Sequence, residues 1–195
     1  MLHIDQYRIV LGSQSPRRKQ LLEGLHLNFG VEIRSVDETV PTHIANADYA
    51  QYLSKIKAIP FEEDLKNNPN MLLITADTTV LVGDTILNKP QNAAEAQTML
   101  EMLSGKKHEV FTGVSITTNS NQVSFTEQSS VCFRAITSHE IDFYIAVGKP
   151  FDKAGAYGVQ DWLGYAFVER VEGCFYNVMG LPTSRLYAEL KKFIK

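Results

Sequence analysis

Two periods divide this chain. Short apolar runs mark strands, and stripes at three- and four-residue spacing mark helices. Residues Arg8–Leu11 read as a short buried strand, and 17–25 as a helix that carries Leu21, Leu22 and Leu25 and ends near Gly24. Partial alternation over 28–36 predicts a strand. Tyr49, Tyr52, Leu53 and Ile56 form a helical stripe within 48–59. Residues 66–70 read as a loop by composition. Residues 71–75 are a continuous apolar run, the mark of a strand covered on both faces, and a second run follows at 80–82. Asn92-Ala93-Ala94-Glu95 opens a helix with Ala96, Met99, Leu100 and Leu103 on its apolar face, stopped by Ser104-Gly105. Residues 110–118 and 123–134 predict two strands of a hairpin around Asn119-Ser120-Asn121. Thr137-Ser138-His139-Glu140 is a second capping-box pattern, ahead of a helix over 141–147. Residues 148–160 are rich in glycine and charge, as in a loop that is flexible or shaped around a ligand. Residues 165–171 read as a strand, and Pro182 opens a last helix with Leu186, Leu190 and Ile194. Alternating strands and helices, with no repeat or linker, predict a single α/β domain with room for two lobes around a cleft.

Composition narrows the function classes. At 195 residues the chain fits one domain and buries a real core. Its 44 % apolar and 21 % charged fractions are ordinary for a globular protein. A net charge of −3 leaves no bulk basic field for DNA or RNA, so a nucleic-acid polymer is not expected as partner. Any cationic site is local and suits a small anion. No apolar run reaches membrane-span length and residues 1–6 carry no signal-peptide pattern, so no membrane partner is expected. Cys132 and Cys174 have apolar or aromatic neighbours and read as buried free thiols, which fits a reducing cytoplasm. His3, His26, His43, His108 and His139 are scattered, with none at metal-ligand spacing, so no zinc site is expected.

The octet Leu11-Gly12-Ser13-Gln14-Ser15-Pro16-Arg17-Arg18 joins the first strand to the first helix. Ser15 is placed as its N-cap and Pro16 suits its first turn. Free N–H groups at a helix start attract anions, and two guanidiniums add forked donors that match phosphate oxygens. A solvated helix start has the same look, so the other charged residues decide. Asp77 follows the 71–75 run. A carboxylate there is costly unless it binds something, and strand ends of open α/β sheets line the ligand crevice. Capping a turn through Thr78 and Thr79 is its plainer use. Glu38 follows 28–36 in a similar way, and two strand-end carboxylates can share one hard divalent cation such as Mg²⁺. Lys89 stands before Pro90 on a fixed backbone and Lys57 beside the 48–59 stripe; singly, each fits an ordinary exposed lysine. Together, Arg17 or Arg18, Lys57, Lys89 and one divalent metal match a nucleoside triphosphate, which carries about four negative charges near neutral pH. Neither Gly-x-x-x-x-Gly-Lys-Ser/Thr nor Gly-x-Gly-x-x-Gly occurs, which argues against Walker-type NTPases, kinase glycine loops and Rossmann dinucleotide sites.

These residues carry a resemblance. With Leu53-Ser54-Lys55-Ile56-Lys57-Ala58, Ala76-Asp77-Thr78-Thr79-Val80, Lys89-Pro90, Leu103-Ser104-Gly105, Thr112-Gly113-Val114, Asp152-Lys153-Ala154-Gly155-Ala156-Tyr157-Gly158-Val159-Gln160 and Asn177-Val178-Met179-Gly180-Leu181-Pro182, the octet resembles the Maf family of nucleoside triphosphate pyrophosphatases almost end to end. The resemblance implies an elongated α/β mixed-sheet fold, two lobes around a deep cleft, similar to inosine triphosphate pyrophosphatases. It implies one such domain over 1–195, often a homodimer, that cuts between the α and β phosphates of a nucleoside triphosphate to give the monophosphate and pyrophosphate. Asp77 matches the family's proposed general base. Ser13, Arg18, Lys57 and Lys89 match its phosphate-binding residues. Glu38 and Asp77 match its holders of a divalent metal, Mg²⁺ or Mn²⁺. Arg17, Thr78 and Gln160 match the pyrimidine type, acting on dTTP and UTP or on modified pyrimidine nucleotides as house-cleaning; a type similar to 7-methylguanosine triphosphate hydrolases has Trp, Gln and Glu there. Maf-like proteins are also associated with arrest of septum formation and cell division, a non-enzymatic alternative. After Gln160 many members run Gly-x-Gly, where this chain has Asp161-Trp162-Leu163-Gly164-Tyr165.

Overall fold

The apolar runs at 71–75 and 80–82 belong to one strand. In the computed structural model, which describes Ile4 and residues 6–193, β3 (Met71–Val82) passes through Asp77 without a turn. Asp77 is therefore inside a strand, not at its end, and the turn-capping alternative falls. The reason is a change of neighbours. β1 (Arg8–Leu11) pairs in parallel with β3 as far as Ile74, and β4 (Thr85–Leu87) pairs antiparallel from Val80. Asp77 lies in the gap between these two pairings.

The remaining strands are β2 (Phe29–Val31), β5 (Lys107–Thr117), β6 (Gln122–Phe133) and β7 (Val168–Glu172). The seven-stranded sheet has the order β2-β1-β3-β5-β6-β7, with β4 joined to β3. Parallel pairs on one side and the antiparallel β6–β7 pair on the other make it a mixed sheet, as expected. The helices are α1 (Pro16–Glu23), α2 (Tyr49–Ile56), α3 (Glu62–Asn67), α4 (Ala93–Leu103), α5 (Ser138–Gly148), α6 (Trp162–Phe167), α7 (Phe175–Val178) and α8 (Thr183–Lys191). Among the described residues no helix is long and apolar enough to cross a membrane.

Capping residues set the helix starts where their spacing predicts. Ser15 accepts from the Arg18 N–H, Asn92 from the Glu95 N–H, and Thr137 and Glu140 complete a reciprocal capping box. Other expectations need correction. Residues 28–36 supply only the three-residue β2, because the following stretch turns its charges outward and Arg34 donates to the Pro60 carbonyl. Glu38 accordingly sits in irregular chain well past β2. Residues 165–167 are helical: Leu163 and Phe167, four apart, are the buried face of α6, while Tyr165 is 80 % exposed. Helix α3 takes part of the expected 66–70 loop, with Phe61 and Leu65 as its anchors. Cys132 and Cys174 are free but half-buried, not buried. Ile194 and His3 lie outside the described residues.

Two compact units emerge. One comprises Met1–Asp77, Thr112–Glu127 and Gly180–Lys195; the other, Thr78–Phe111 and Gln128–Met179. The first has an apolar cluster of Val10, Ala58, Phe61, Leu65, Met71 and Leu73. The second has a larger one that includes Leu100, Leu103, Val131, Phe133, Tyr144, Tyr157 and Leu163.

Candidate active site

In the first unit the position of α2 decides where Lys57 stands. α2 buries Ala50, Leu53 and Ser54. Gly113 in β5 lies so close that a Cβ there would come within 2.3 Å of the Ala50 carbonyl. Only glycine permits that approach. A run of buried hydroxyls ties the contact down. Ser54 Oγ donates to the Gln51 carbonyl and lies 2.8 Å from Ser115 Oγ, and Thr75 Oγ1 donates to the Ser54 carbonyl at 2.7 Å. α2 is thereby pinned to β5 and β3, and Lys57 follows as its C-cap.

From that cap the Lys57 ammonium meets two carboxylates. Nζ donates to Asp77 Oδ1 at 2.5 Å and lies 3.2 Å from Glu38 Oε2. Asp77 is 8 % exposed, whereas half of the Glu38 side chain is open to water. The pairing repays much of the cost of burying Asp77.

The octet forms the adjoining wall. Ser13 Oγ accepts from the Ser15 N–H and from Arg18 Nη1, and Arg18 Nε donates to the Gly180 carbonyl at 2.9 Å. Burial lowers the Arg18 pKa; Asp77 pulls it back up, Arg17 pushes it down and Glu38 pulls it up. The fields of both carboxylates therefore reach the guanidinium. Ser13, Arg18, Glu38, Lys57 and Asp77 thus come together in one unit, with Arg17 beside them.

Thr78, Lys89 and Gln160 belong to the second unit. Lys89 is exposed. Gln160 is held by its neighbour: Nε2 donates to Asp161 Oδ1 at 3.1 Å. Asp161 Oδ2 accepts from the Tyr144 hydroxyl at 3.1 Å and lies 3.5 Å from Lys153 Nζ, and the Gly158 N–H donates to that same hydroxyl. Burial first, and then the Asp161 charge, push the Tyr144 pKa well up, so its hydroxyl keeps its proton. Sequence reasoning did not assign Gly113, Ser54, Tyr144 or Asp161 a role. Ser54 and Gly113 stand inside quoted family motifs and Asp161 at a departure from one, while nothing in the sequence marked Tyr144.

A family model for Maf-like proteins matches residues 8–193. This chain belongs to the Maf family. Relatives named dTTP/UTP pyrophosphatase are 47 % identical over 97 % of the chain (Bacteroides thetaiotaomicron, 98 % of that protein) and 45 % identical over 98 % of it (Parabacteroides distasonis, 98 % of that protein). A solved structure, the Staphylococcus aureus Ham1 protein, aligns with 65 % of this chain and 71 % of its own at 14 % identity and a TM-score of 0.48.

In this Maf chain the carboxylates that meet at the Lys57 ammonium are Asp77 and Glu38. Among the described residues no group of three or more His, Cys, Asp or Glu is arranged to hold one. Asp77 and Glu38 do face one cationic point, the Lys57 ammonium. One or two carboxylates completed by phosphate oxygens and water are what Mg²⁺ takes, so the residues fit a cation that arrives with a polyphosphate.

Proposed function

We propose that this Maf-family chain hydrolyses nucleoside triphosphates, dTTP and UTP foremost, between the α and β phosphates to give the nucleoside monophosphate and pyrophosphate. The observation that carries this reading is the meeting of Lys57, Asp77 and Glu38 beside Arg18. The names of the near-full-length relatives supply the substrate.

Each residue then has a task. Ser13, the start of α1 and Arg18 hold phosphate oxygens. Lys57, shared between two carboxylates in the chain alone, finds further acceptors in the triphosphate, and Lys89 adds a cation. Asp77 takes a proton from the water whose oxygen bonds to the α-phosphorus as the bond to pyrophosphate breaks. Arg18 and Lys57 offset the charge that leaves with pyrophosphate. Glu38 and Asp77 would hold the divalent cation, Mg²⁺ or Mn²⁺, which when bound supplies charge neutralisation at the phosphates. Arg17, Thr78 and Gln160 keep the base-selecting roles that the family resemblance implies. The same reading makes 1–195 a single Maf-like domain that works in the cytoplasm on nucleotide pools. It also makes the chain a homodimer, for which exposed Phe143, Val147 and Tyr165 are suitable apolar surface.

A panel of UTP, dTTP, CTP and 7-methyl-GTP with Mg²⁺ tests it. UTP and dTTP should release pyrophosphate. Release of orthophosphate, or turnover of 7-methyl-GTP alone, would overturn the reading.

A further inference from the structure

Gln160 has an amide whose two ends are in opposite situations. Its NH₂ is spent on Asp161 Oδ1, while its carbonyl oxygen is buried with no hydrogen-bond partner. Turning the amide over would set that oxygen against a carboxylate, so the orientation is chemically forced. An acceptor buried without a donor costs stability until something donates to it.

Asp161 is itself held. Its other oxygen, Oδ2, accepts a hydrogen bond from the Tyr144 hydroxyl, and the Lys153 ammonium lies on the same side. The Tyr144 hydroxyl already accepts from the Gly158 N–H, so its own proton is committed to Asp161. Gly158 closes the arrangement: a Cβ there would fall 2.6 Å from Asp161 Oδ2 and 2.8 Å from Gln160 Nε2. A side chain at 158 would oblige the Asp161 carboxylate and the Gln160 amide to move from these places.

We propose that Asp161 is a positioning residue that turns Gln160 so that its carbonyl oxygen is a one-way acceptor, selecting pyrimidines that present an N3–H. Uracil and thymine carry a donor at N3, whereas cytosine carries a lone pair there. A base that reaches the oxygen satisfies it with that N–H. The inference rests on the reading of Gln160 as a base-contacting residue and adds how its selectivity arises.

Asp161→Asn tests it sharply. Tyr144 and Lys153 both act as donors toward position 161, so they hold the oxygen of the introduced amide in the Oδ2 place and leave its NH₂ facing Gln160. Gln160 then turns over and offers NH₂ to the base, which suits cytosine. The ratio of kcat/KM for UTP over CTP should fall about tenfold or more, the scale of one mismatched hydrogen bond. The value for CTP should rise in absolute terms, which damage to the fold cannot produce. Asp161→Glu, which keeps an acceptor-only side chain, should restore much of the UTP preference. An unchanged ratio in Asp161→Asn, or a wild-type protein that hydrolyses UTP and CTP equally, would overturn the inference while leaving the proposed activity standing. A wild-type protein that hydrolyses neither UTP nor dTTP would overturn that activity instead. Should Asp161→Asn fail to fold, Asp161→Ala removes the acceptor that fixes the Gln160 amide and should lower the same ratio; no change would refute the idea.

Discussion

At the scale of single residues, Asp77 and His108 show two opposite uses of a buried titratable group. Asp77 is paired and set at the edge of the cationic cluster. Asp77→Asn keeps the shape and removes the proton acceptor, so kcat should drop by about a hundredfold or more while the nucleotide still binds. Turnover assays and calorimetric titration separate these effects, and full activity in the variant would end the base assignment. His108 is 1 % exposed, with Nε2 2.8 Å from the Tyr157 hydroxyl. Burial holds its pKa down to about 4 from 6.5, against a smaller upward pull from Glu109. The unfolded chain binds this proton before the folded one does. Stability is therefore complete above about pH 6.5 and falls as the pH drops toward 4, by up to about 3 kcal/mol. Urea unfolding of wild type and His108→Gln at about pH 7 and about pH 5 should show a flatter pH dependence in the variant.

At the scale of elements, the packing of α2 on β5 is what places Lys57. Gly113→Ala would drive a methyl group into the α2 backbone. It should cost about 1–3 kcal/mol or more and should also lower kcat, because α2 carries Lys57 with it. Thr137→Ala offers a contrast. It removes the capping box of α5, far in function from the cationic cluster, and should cost about 1 kcal/mol with unchanged turnover. Denaturation midpoints paired with kinetic assays distinguish the two. Elements also show the limits of pattern reading. The run at 165–167 is apolar and aromatic, which favours a strand. The Leu163–Phe167 pair, each buried in the second unit, overrides that preference and makes it helix. Residues 59–67 show only two anchors, Phe61 and Leu65, in a polar stretch, too sparse a stripe to announce α3.

At the scale of the molecule, a ligand that binds only the folded chain should stabilise it. A non-hydrolysable UTP analogue at about a hundred times its Kd should add about 2.7 kcal/mol. Thermal melts should rise for this analogue in wild type and in Asp77→Asn alike, and less for a CTP analogue. No rise with any pyrimidine triphosphate would count against the proposed site. The net charge of −3 does not predict this affinity, because the cations that matter are gathered in one place rather than spread over the surface.

The sequence by itself determined the features that depend on neighbours a few positions apart: the caps at Ser15, Asn92 and Thr137, the hairpin around residues 119–121, most strand and helix periods, and the family motifs. Their physics is local, a side chain reaching its own backbone or one face of one element. Only the tertiary structure decided that Lys57 stands between Glu38 and Asp77, that Asp77 lies within β3 in the gap between two pairings, and that Tyr144 and Lys153 meet the Asp161 carboxylate. Those facts depend on how close separate segments come, through Gly113 against α2 and Tyr144 against Asp161. Closeness of that kind is a property of packing, and no spacing along the chain encodes it.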